Sequence, residues 1–345
     1  MNRTHRLLGA LCVIGIAIVA IAMATAIPMH AFDPLQDKAI GEAKTAHPPI
    51  SALWSVRSNI KSLNLLFGPG GKAHKPAGKF TFLKEDMGGT SPKFDVEDEQ
   101  GVRWRAKLGE ETKSETAATR LVWAAGYYAD EDYYVPELHV EKMGKLKRGQ
   151  NFVSAGGVVH GVRLERKLKG QKKTENWSWF DNPFIATKEL DGLKIMMALT
   201  NNWDLKEVNN AIYNEKGEGV RYVVSDLGAT FGRTGNPQTR SKSNLREYVA
   251  SKFIHEVKPD HVNFNLSSRP FFLTAIDVPN YAKRTKMQGI VKHIPLGHAK
   301  WLGHLLGQLS AEQIRDCFRA GGYSPEEVEG FSKAVQARIA ELNRL

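Results

Sequence analysis

Cysteine is almost missing: the 345 residues hold two, Cys12 inside an apolar run and Cys317 near the C-terminus. Without residues 1–31 one thiol remains, which excludes an internal disulfide and a cysteine-based metal site and leaves stability to a buried core. Internal repeats are absent as well. Negative charge is in short supply, with 37 Asp and Glu against 48 Lys and Arg and a formal net charge of +11. Residues 1–31 contain only Arg3 and Arg6 among the basic residues and no acidic one, so the excess persists without them. Such a balance favours anionic partners: phosphates, acidic lipid surfaces or nucleic acid. The basic residues are scattered, so a dedicated nucleic-acid surface is the weaker reading. With 42% hydrophobic and 25% charged residues the chain is an ordinary globular one, long enough for one large domain or two lobes.

The N-terminus reads as a targeting segment. Arg3, His5 and Arg6 precede the run "LLGALCVIGIAIVAIAMATAI", and small residues follow in "AMATA" and "MHA". The run is about twenty residues, long for a cleaved signal and long enough to span a bilayer. A cleaved signal peptide and an uncleaved anchor both remain open for residues 1–31. In either case, positive charge before the run and a large domain after it predict a domain outside the cytoplasm, periplasmic, extracellular or membrane-anchored.

Residues 32–79 read as a loosely helical lead-in followed by the linker "FGPGGKAHKPAGK". From Phe80 the pattern alternates. "KFTFLKED" and "SPKFDVEDEQGVRWRAKLG" predict three strands joined by the turns "MGGTS" and "DEQG". "SETAATRLVWAAG" predicts a helix with Ser114 as N-cap, an apolar face at Ala117, Leu121 and Ala125, and Gly126 as its stop. "YYVPELHV" and "VVHGVRLERKL" are further strands. Beyond "QKKTENWSWFDNPF" the pattern turns helical in "IATKELDGLKIMMALTNNW", then "AIYNE" and "RYVVSDLG" form a strand pair across "KGEG". The C-terminal part is mostly helical, and in "SPEEVEGFSKAVQARIAEL" Ser324, Pro325 and Glu327 make a capping box with Pro in the first turn.

Phosphoryl transfer asks for a cation on the phosphates, a metal to neutralise them and a carboxylate to orient the acceptor hydroxyl. In "WDLKEVNN", Asp204, Lys206 and Asn209 are spaced so that one loop can aim a carboxylate, place an ammonium and offer an amide oxygen. Downstream, the strand "RYVV" ends in "SDLG", where Asp226 suits a second metal ligand and Gly228 adds flexibility. Standing alone, each of these has a plain structural explanation, such as a solvated helix C-terminus for "WDLKEVNN". Their order along the chain is what gives them weight.

D-L-K-x-x-N followed by D-L-G resembles the catalytic loop and metal motif of the protein-kinase-like superfamily. By that resemblance Lys107 in "RAKLG" is the nucleotide-phosphate lysine on the third strand, and Glu115 is its ion-pair partner. The short interval keeps Glu110 and Glu111 open as partners instead. "MGGTSPKF" resembles the phosphate-covering loop, with Gly88 and Gly89 allowing close backbone approach and Thr90 and Ser91 adding hydroxyl donors. The "GGTSPK" form is similar to atypical kinases of the phosphatidylinositol-kinase-like and HipA-like groups. The motifs cover roughly residues 80–232. Asn202 and Trp203 stand where ordinary protein kinases have His-Arg, and no A-P-E follows, so regulation through a phosphorylated activation segment is not implied.

The expected fold is therefore α+β and two-lobed, protein-kinase-like: a strand-rich N-lobe over 80–180 and a larger, mostly helical C-lobe over 181–345, after the signal or anchor helix. The implied function is an atypical, exported kinase moving the γ-phosphate of ATP, with Mg²⁺ or Mn²⁺, to a hydroxyl of a protein, lipid or small molecule. The alternative is a pseudokinase that binds an anionic ligand. Asp204 and Lys206 carry the catalytic roles, Lys107, Glu115, Gly88, Gly89, Thr90 and Ser91 bind nucleotide, and Asn209 and Asp226 bind metal. The membrane is a partner only if the N-terminal segment is uncleaved. Asn201, Asn202 and Asn210 shape the loop. His293, His298 and His304 lack i, i+4 spacing and read as packing or surface residues; "WSWF" reads as buried packing, and "SAGGVVHG" as a loop between strands. The stretch holding Arg233, Arg240, Lys242 and Arg246 is a solvated loop or a binder of an anionic substrate.

Overall fold

A computed structural model describes residues 51–215, 219–234, 241–266 and 278–345. The chain divides into two units, Met1–His47 and Pro48–Leu345, and all that follows concerns the second. The targeting segment, the start of the lead-in and Arg240 lie outside the described residues. Among the described residues no helix is long and apolar enough to cross a membrane.

The described part of the lead-in corrects the helical expectation. It holds the strand β1 (Ser51–Ala52) and one 3-10 turn at Ile60–Ser62. Leu53, Ile60 and Leu65 are buried singly in the core, and Trp54 Nε1 donates to Ala125 O at 2.7 Å. Tertiary burial replaces the repeating face that a helix needs.

The predicted meander forms as β2 (Phe80–Asp86), β3 (Lys93–Asp98) and β4 (Arg103–Lys107). Its second turn is held by Asp98 Oδ1, which accepts from Gln100 N at 3.0 Å and Val102 N at 2.9 Å. Helix α1 (Glu111–Ala124) follows, then β5 (Asp132–Glu141), β6 (Val153–Ser154) and β7 (Val158–Arg166). "SAGGVVHG" is the turn from β6 into β7, as expected. The sheet order is β4-β3-β2-β5-β7-β6, and an added β4–β7 pairing closes five strands on themselves. Period-2 alternation fills this barrel with Phe94, Val96, Trp104, Ala106, Val162 and Leu164. The intervening residues Lys93, Asp95, Arg105, Lys107, Arg163 and Glu165 must then face outward, and that outer face meets α1.

Helix α1 starts three residues before Ser114, so Ser114 is no N-cap; it is buried within the helix. The acidic first turn supplies the helix start instead, since carboxylates complement the N-terminal end of the dipole. The helix stops at Gly126 as predicted, with φ at +97°, and a Cβ there would lie 2.3 Å from Trp54 Nε1 and 2.6 Å from Ser55 O.

The chain then adds β8 (Gln171–Glu175), α2 (Lys188–Leu199), β9 (Asn210–Glu215) and β10 (Gly219–Val224). The four strands β1-β10-β9-β8 form a second sheet, so the helical lobe has a sheet of its own. After α3 (Leu245–Ala250), the strands β11 (Ile254–Val257) and β12 (His261–Phe264), α4 (Val278–Gly289) and β13 (Ile294–Pro295) come α5 (Leu296–Leu306), α6 (Ala311–Ala320) and α7 (Pro325–Asn343). The capping box at Ser324 and Glu327 is formed, with Pro325 in the first turn. Arg338 of α7 reaches back to donate to Leu199 O at 2.8 Å and Tyr248 O at 3.0 Å, fixing the end of α2 from which the loop holding Asp204 departs. Trp177 and Trp179 are buried, as expected of "WSWF", whereas Phe180 of the same stretch is exposed. His293 and His304 are exposed and His298 bonds Asp191, so the histidines form no ligand set.

Candidate active site

Lys107 ends β4 on the outer face of the barrel, where three carboxylates meet it. Its Nζ lies 2.6 Å from Glu111 Oε2, 2.8 Å from Glu115 Oε2 and 3.4 Å from Asp226 Oδ1. The choice left open among the glutamates resolves to two partners, because Glu111 and Glu115 are one turn apart on the face of α1 that covers the sheet. Glu110 is exposed. Burial opposes the charge on Lys107, which is 8% exposed, but Glu115, Asp226 and Glu111 outweigh it and hold its pKa above the ordinary lysine range. Burial pushes Glu115 up to about 7 against the pull of Arg163 and Lys107. Burial acts on Glu111 in the same sense, yet Lys107 and Lys242 prevail and bring it down to about 2.

Asp226 arrives from the end of β10, as the sequence predicts. Gly228, expected to supply flexibility, has a steric role: a Cβ there would stand 2.7 Å from Glu111 Cβ, so only glycine lets this segment lie on α1. Ser114 Oγ donates to Gly228 O at 2.7 Å, and Thr230 Oγ1 donates to Ser114 O at 3.3 Å, which latches the segment to the helix.

The loop after α2 is tied to the same place. Asn202 Oδ1 accepts from Asp204 N at 3.1 Å, Asn209 Nδ2 donates to Asp204 O at 2.7 Å, and Ser225 N donates to Asn209 O at 2.9 Å. Asn209 thereby stands between Asp204 and the strand end carrying Asp226. Lys206 Nζ is within 2.7 and 2.8 Å of the two Asp204 carboxylate oxygens. Asn210 Nδ2 donates to Trp177 O at 2.9 Å, a shaping contact. Trp203 donates Nε1 to Ser241 O at 3.2 Å, and Lys242 and Arg284 lie over its ring at 5.7 and 5.9 Å. Lys242 also pairs with Glu111, whereas Arg246 is exposed and Arg233 pairs with Glu247 at 3.2 Å. The basic stretch is thus split between the site and the surface.

The loop between β2 and β3 holds Gly88, Gly89, Thr90 and Ser91. Gly89 has φ at +63°, a conformation that favours glycine. Ser91 Oγ, expected to face a phosphate, instead donates to Glu111 Oε2 at 2.7 Å and ties the loop to α1.

The donors suit a hard divalent cation. Carboxylate oxygens of Glu111, Glu115 and Asp226 lie within 4.8 Å of one another, but the Lys107 ammonium sits among them, so Asp226 and Asn209 are the donors turned toward a cation. The Asp226 side chain is 40% exposed, and Asn209 spends its amide nitrogen on Asp204, leaving its oxygen open among the described residues.

Sequence reasoning missed Arg163. This residue of β7 is 2% exposed and lies behind Glu115, with Glu115 Oε1 at 3.5 Å, Asp132 Oδ2 at 2.7 Å and Glu165 Oε2 at 3.1 Å. An arginine flanked by apolar residues in a buried strand was the available signal.

No protein-family model matches the chain, and no curated protein matches it. Among solved structures it is similar to the Helicobacter pylori proinflammatory kinase CtkA, at 10% identity over 78% of this chain and 97% of that one, with a TM-score of 0.46. It is similar to the Golgi casein kinase at 12% identity, over 76% of this chain and 74% of that one, with a TM-score of 0.32. A further similarity is to the Rio2 kinase of Chaetomium thermophilum in an ADP/Mg²⁺-phosphoaspartate complex, at 12% identity, over 75% and 72%, with a TM-score of 0.29. All three are kinases.

Proposed function

We propose that this chain is an atypical kinase that transfers the γ-phosphoryl group of ATP to a hydroxyl acceptor. One observation carries the reading: the carboxylates of Glu115, from the helix that follows the strand of Lys107, and of Asp226, from a strand end 119 residues beyond that lysine, both lie within 3.4 Å of the Lys107 ammonium. A catalytic-loop aspartate is tethered to that same strand end through Asn209.

Lys107 binds donor phosphate oxygens and is kept extended by Glu115. Asp226 and Asn209 hold Mg²⁺ or Mn²⁺, which when bound spreads and neutralises phosphate charge. Asp204 orients the acceptor hydroxyl and takes its proton as the new O–P bond forms and the bond from the γ-phosphorus to the bridging oxygen breaks, releasing ADP. Lys206, already on the Asp204 carboxylate, places positive charge beside the transferred group. In the same reading residues 1–31 carry the domain out of the cytoplasm.

The test is phosphate transfer from γ-labelled ATP with Mg²⁺ or Mn²⁺ by the purified full chain, beside Asp204→Ala and Asp226→Ala. Each substitution is expected to lower turnover by about 10²-fold or more while the melting curve stays cooperative. Wild-type turnover no higher than that of both variants overturns the kinase reading and leaves the chain a binding module.

A further inference from the structure

The stretch "SALWSVRSNIKSLNLLFG" holds Arg57 and Lys61 and no acidic residue, so a counter-charge for Arg57 must come from elsewhere in the chain. Among the described residues no carboxylate pairs with it. Its Nε donates to Trp123 O at 3.4 Å, and its guanidinium lies 5.2 Å from the centre of the Trp123 ring. Burial lowers its pKa, opposed only by the Tyr128 hydroxyl. A guanidinium carries five N–H donors in a fixed fork, so Arg57 keeps most of them for another acceptor.

Arg57 borders a cavity of about 240 Å³. Two more guanidinium groups line it, from Arg166 at the end of β7 and Arg221 of β10. Trp123, Tyr128 and Tyr213 supply aromatic wall, with Arg221 over the Tyr128 ring at 4.9 Å. Two acids reach the same space. Glu131 Oε2 is already taken by Arg166 Nη1 at 3.3 Å and His74 Nδ1 at 2.8 Å. Burial and Glu165 push Asp130 well above the usual carboxylate range, against Arg163 and Lys167, so this acid is held protonated and adds no counter-charge. Three guanidinium groups against that pair leave the cavity positive, between walls that focus the field on whatever enters. Lys107, Asp204, Asn209 and Asp226 are not among its lining residues, so it is separate from the candidate active site.

A guanidinium fork meets an oxyanion with two parallel N–H···O bonds. Phosphate suits several forks better than carboxylate does, because a monoester offers three strong acceptor oxygens and a charge near −2 at neutral pH. A water molecule takes about 30 Å³, so the space admits a body several times larger than a bare ion. Aromatic walls around a few fixed polar groups favour a planar, apolar body.

We propose that this cavity binds a small aromatic phosphate ester, its phosphate held by Arg57, Arg166 and Arg221. The site stands apart from the phosphoryl-transfer reading and does not depend on it. Calorimetric binding of phenyl phosphate, inorganic phosphate and benzoate is measured on the full chain and on Arg57→Gln, Arg57→Lys, Arg221→Gln and Asp226→Ala, each checked for a cooperative melting curve. Phenyl phosphate is expected to bind the wild type more tightly than the other two and to raise its melting temperature. Arg57→Gln and Arg221→Gln are each expected to weaken it about tenfold or more, and Arg57→Lys, which keeps the charge but not the fork, by less. Asp226→Ala, which disables the proposed transfer, is expected to leave this binding within about twofold. No binding by the wild type, or binding that Arg57→Gln and Arg221→Gln leave within about twofold, overturns the proposal. A larger change in Asp226→Ala places the ligand beside Lys107 and overturns it too. Benzoate binding as tightly as phenyl phosphate overturns the choice of phosphate, and inorganic phosphate doing so overturns the aromatic body.

Discussion

At the scale of single residues, the site is governed by an excess of carboxylates over the one lysine they share. Glu111 is held down to about 2, so its pair with Lys107 persists through the physiological range. Glu115, pushed up to about 7 by burial, does not have that margin. The folded chain binds this proton more tightly than the unfolded chain, whose value is 4.5. Stability linked to Glu115 is therefore complete below pH 4.5 and is lost as the pH rises through about 7. In the proposed phosphoryl transfer the dependence runs the opposite way, because the ionised carboxylate is the one that would hold Lys107 extended. Phosphate transfer is expected to rise with an apparent midpoint near pH 7, and the residual activity of Glu115→Gln to lack that acid limb. A limb of equal position in the variant assigns the titration to another group. Lys107, Asp204, Asn209 and Asp226 were legible because motif order supplies them. Arg163 was not, since it meets Glu115 and Asp132, both distant in sequence.

At the scale of elements, α1 is fastened on two sides. Arg120 Nη1 donates to Asp132 Oδ1 at 2.6 Å, Arg163 Nε donates to Asp132 Oδ2 at 2.7 Å, and Arg163 reaches on to Glu115. Asp132, fully buried at the start of β5, thus links the middle of the helix to the sheet that carries Lys107. Asp132→Ala leaves Arg120 buried without its carboxylate and is expected to cost about 3–5 kcal/mol. Urea unfolding measures it, and a loss under about 1 kcal/mol excludes this network as the anchor of α1. Alternation and turn chemistry predicted β2, β3 and β4 because those signals are local. Ser114 was misread because a serine ahead of an alanine-rich run is also a good N-cap, and only the packing of residues 226–230 onto α1 assigns its hydroxyl elsewhere.

At the scale of the whole molecule, two cores divide the labour. A closed barrel presents charged residues on its outer face, and a second core joins α1 to α2, α5, α6 and α7. The helix contributes its apolar residues to the second core and lies with the carboxylates of its first turns over Lys107 on the outer face of the barrel. Function also depends on where the domain resides. A compartment-sensitive reporter fused at the C-terminus is expected to read outside the cytoplasm, and a cytoplasmic signal overturns the proposed export.

The sequence by itself determined the alternation of the meander, the capping of the last helix, the stop at Gly126 and the order in which Lys107, the Asp204 loop and Asp226 follow one another. These are properties of neighbours along the chain, where propensity, capping and spacing act. Tertiary structure alone decided that Glu111 joins Glu115 on Lys107, that Gly228 is required for close approach, and that Ser91 faces α1. Each of these depends on strand register and barrel closure, which bring charges together across long sequence separations. Electrostatic energy at such distances is set by where side chains meet and how deeply they are buried.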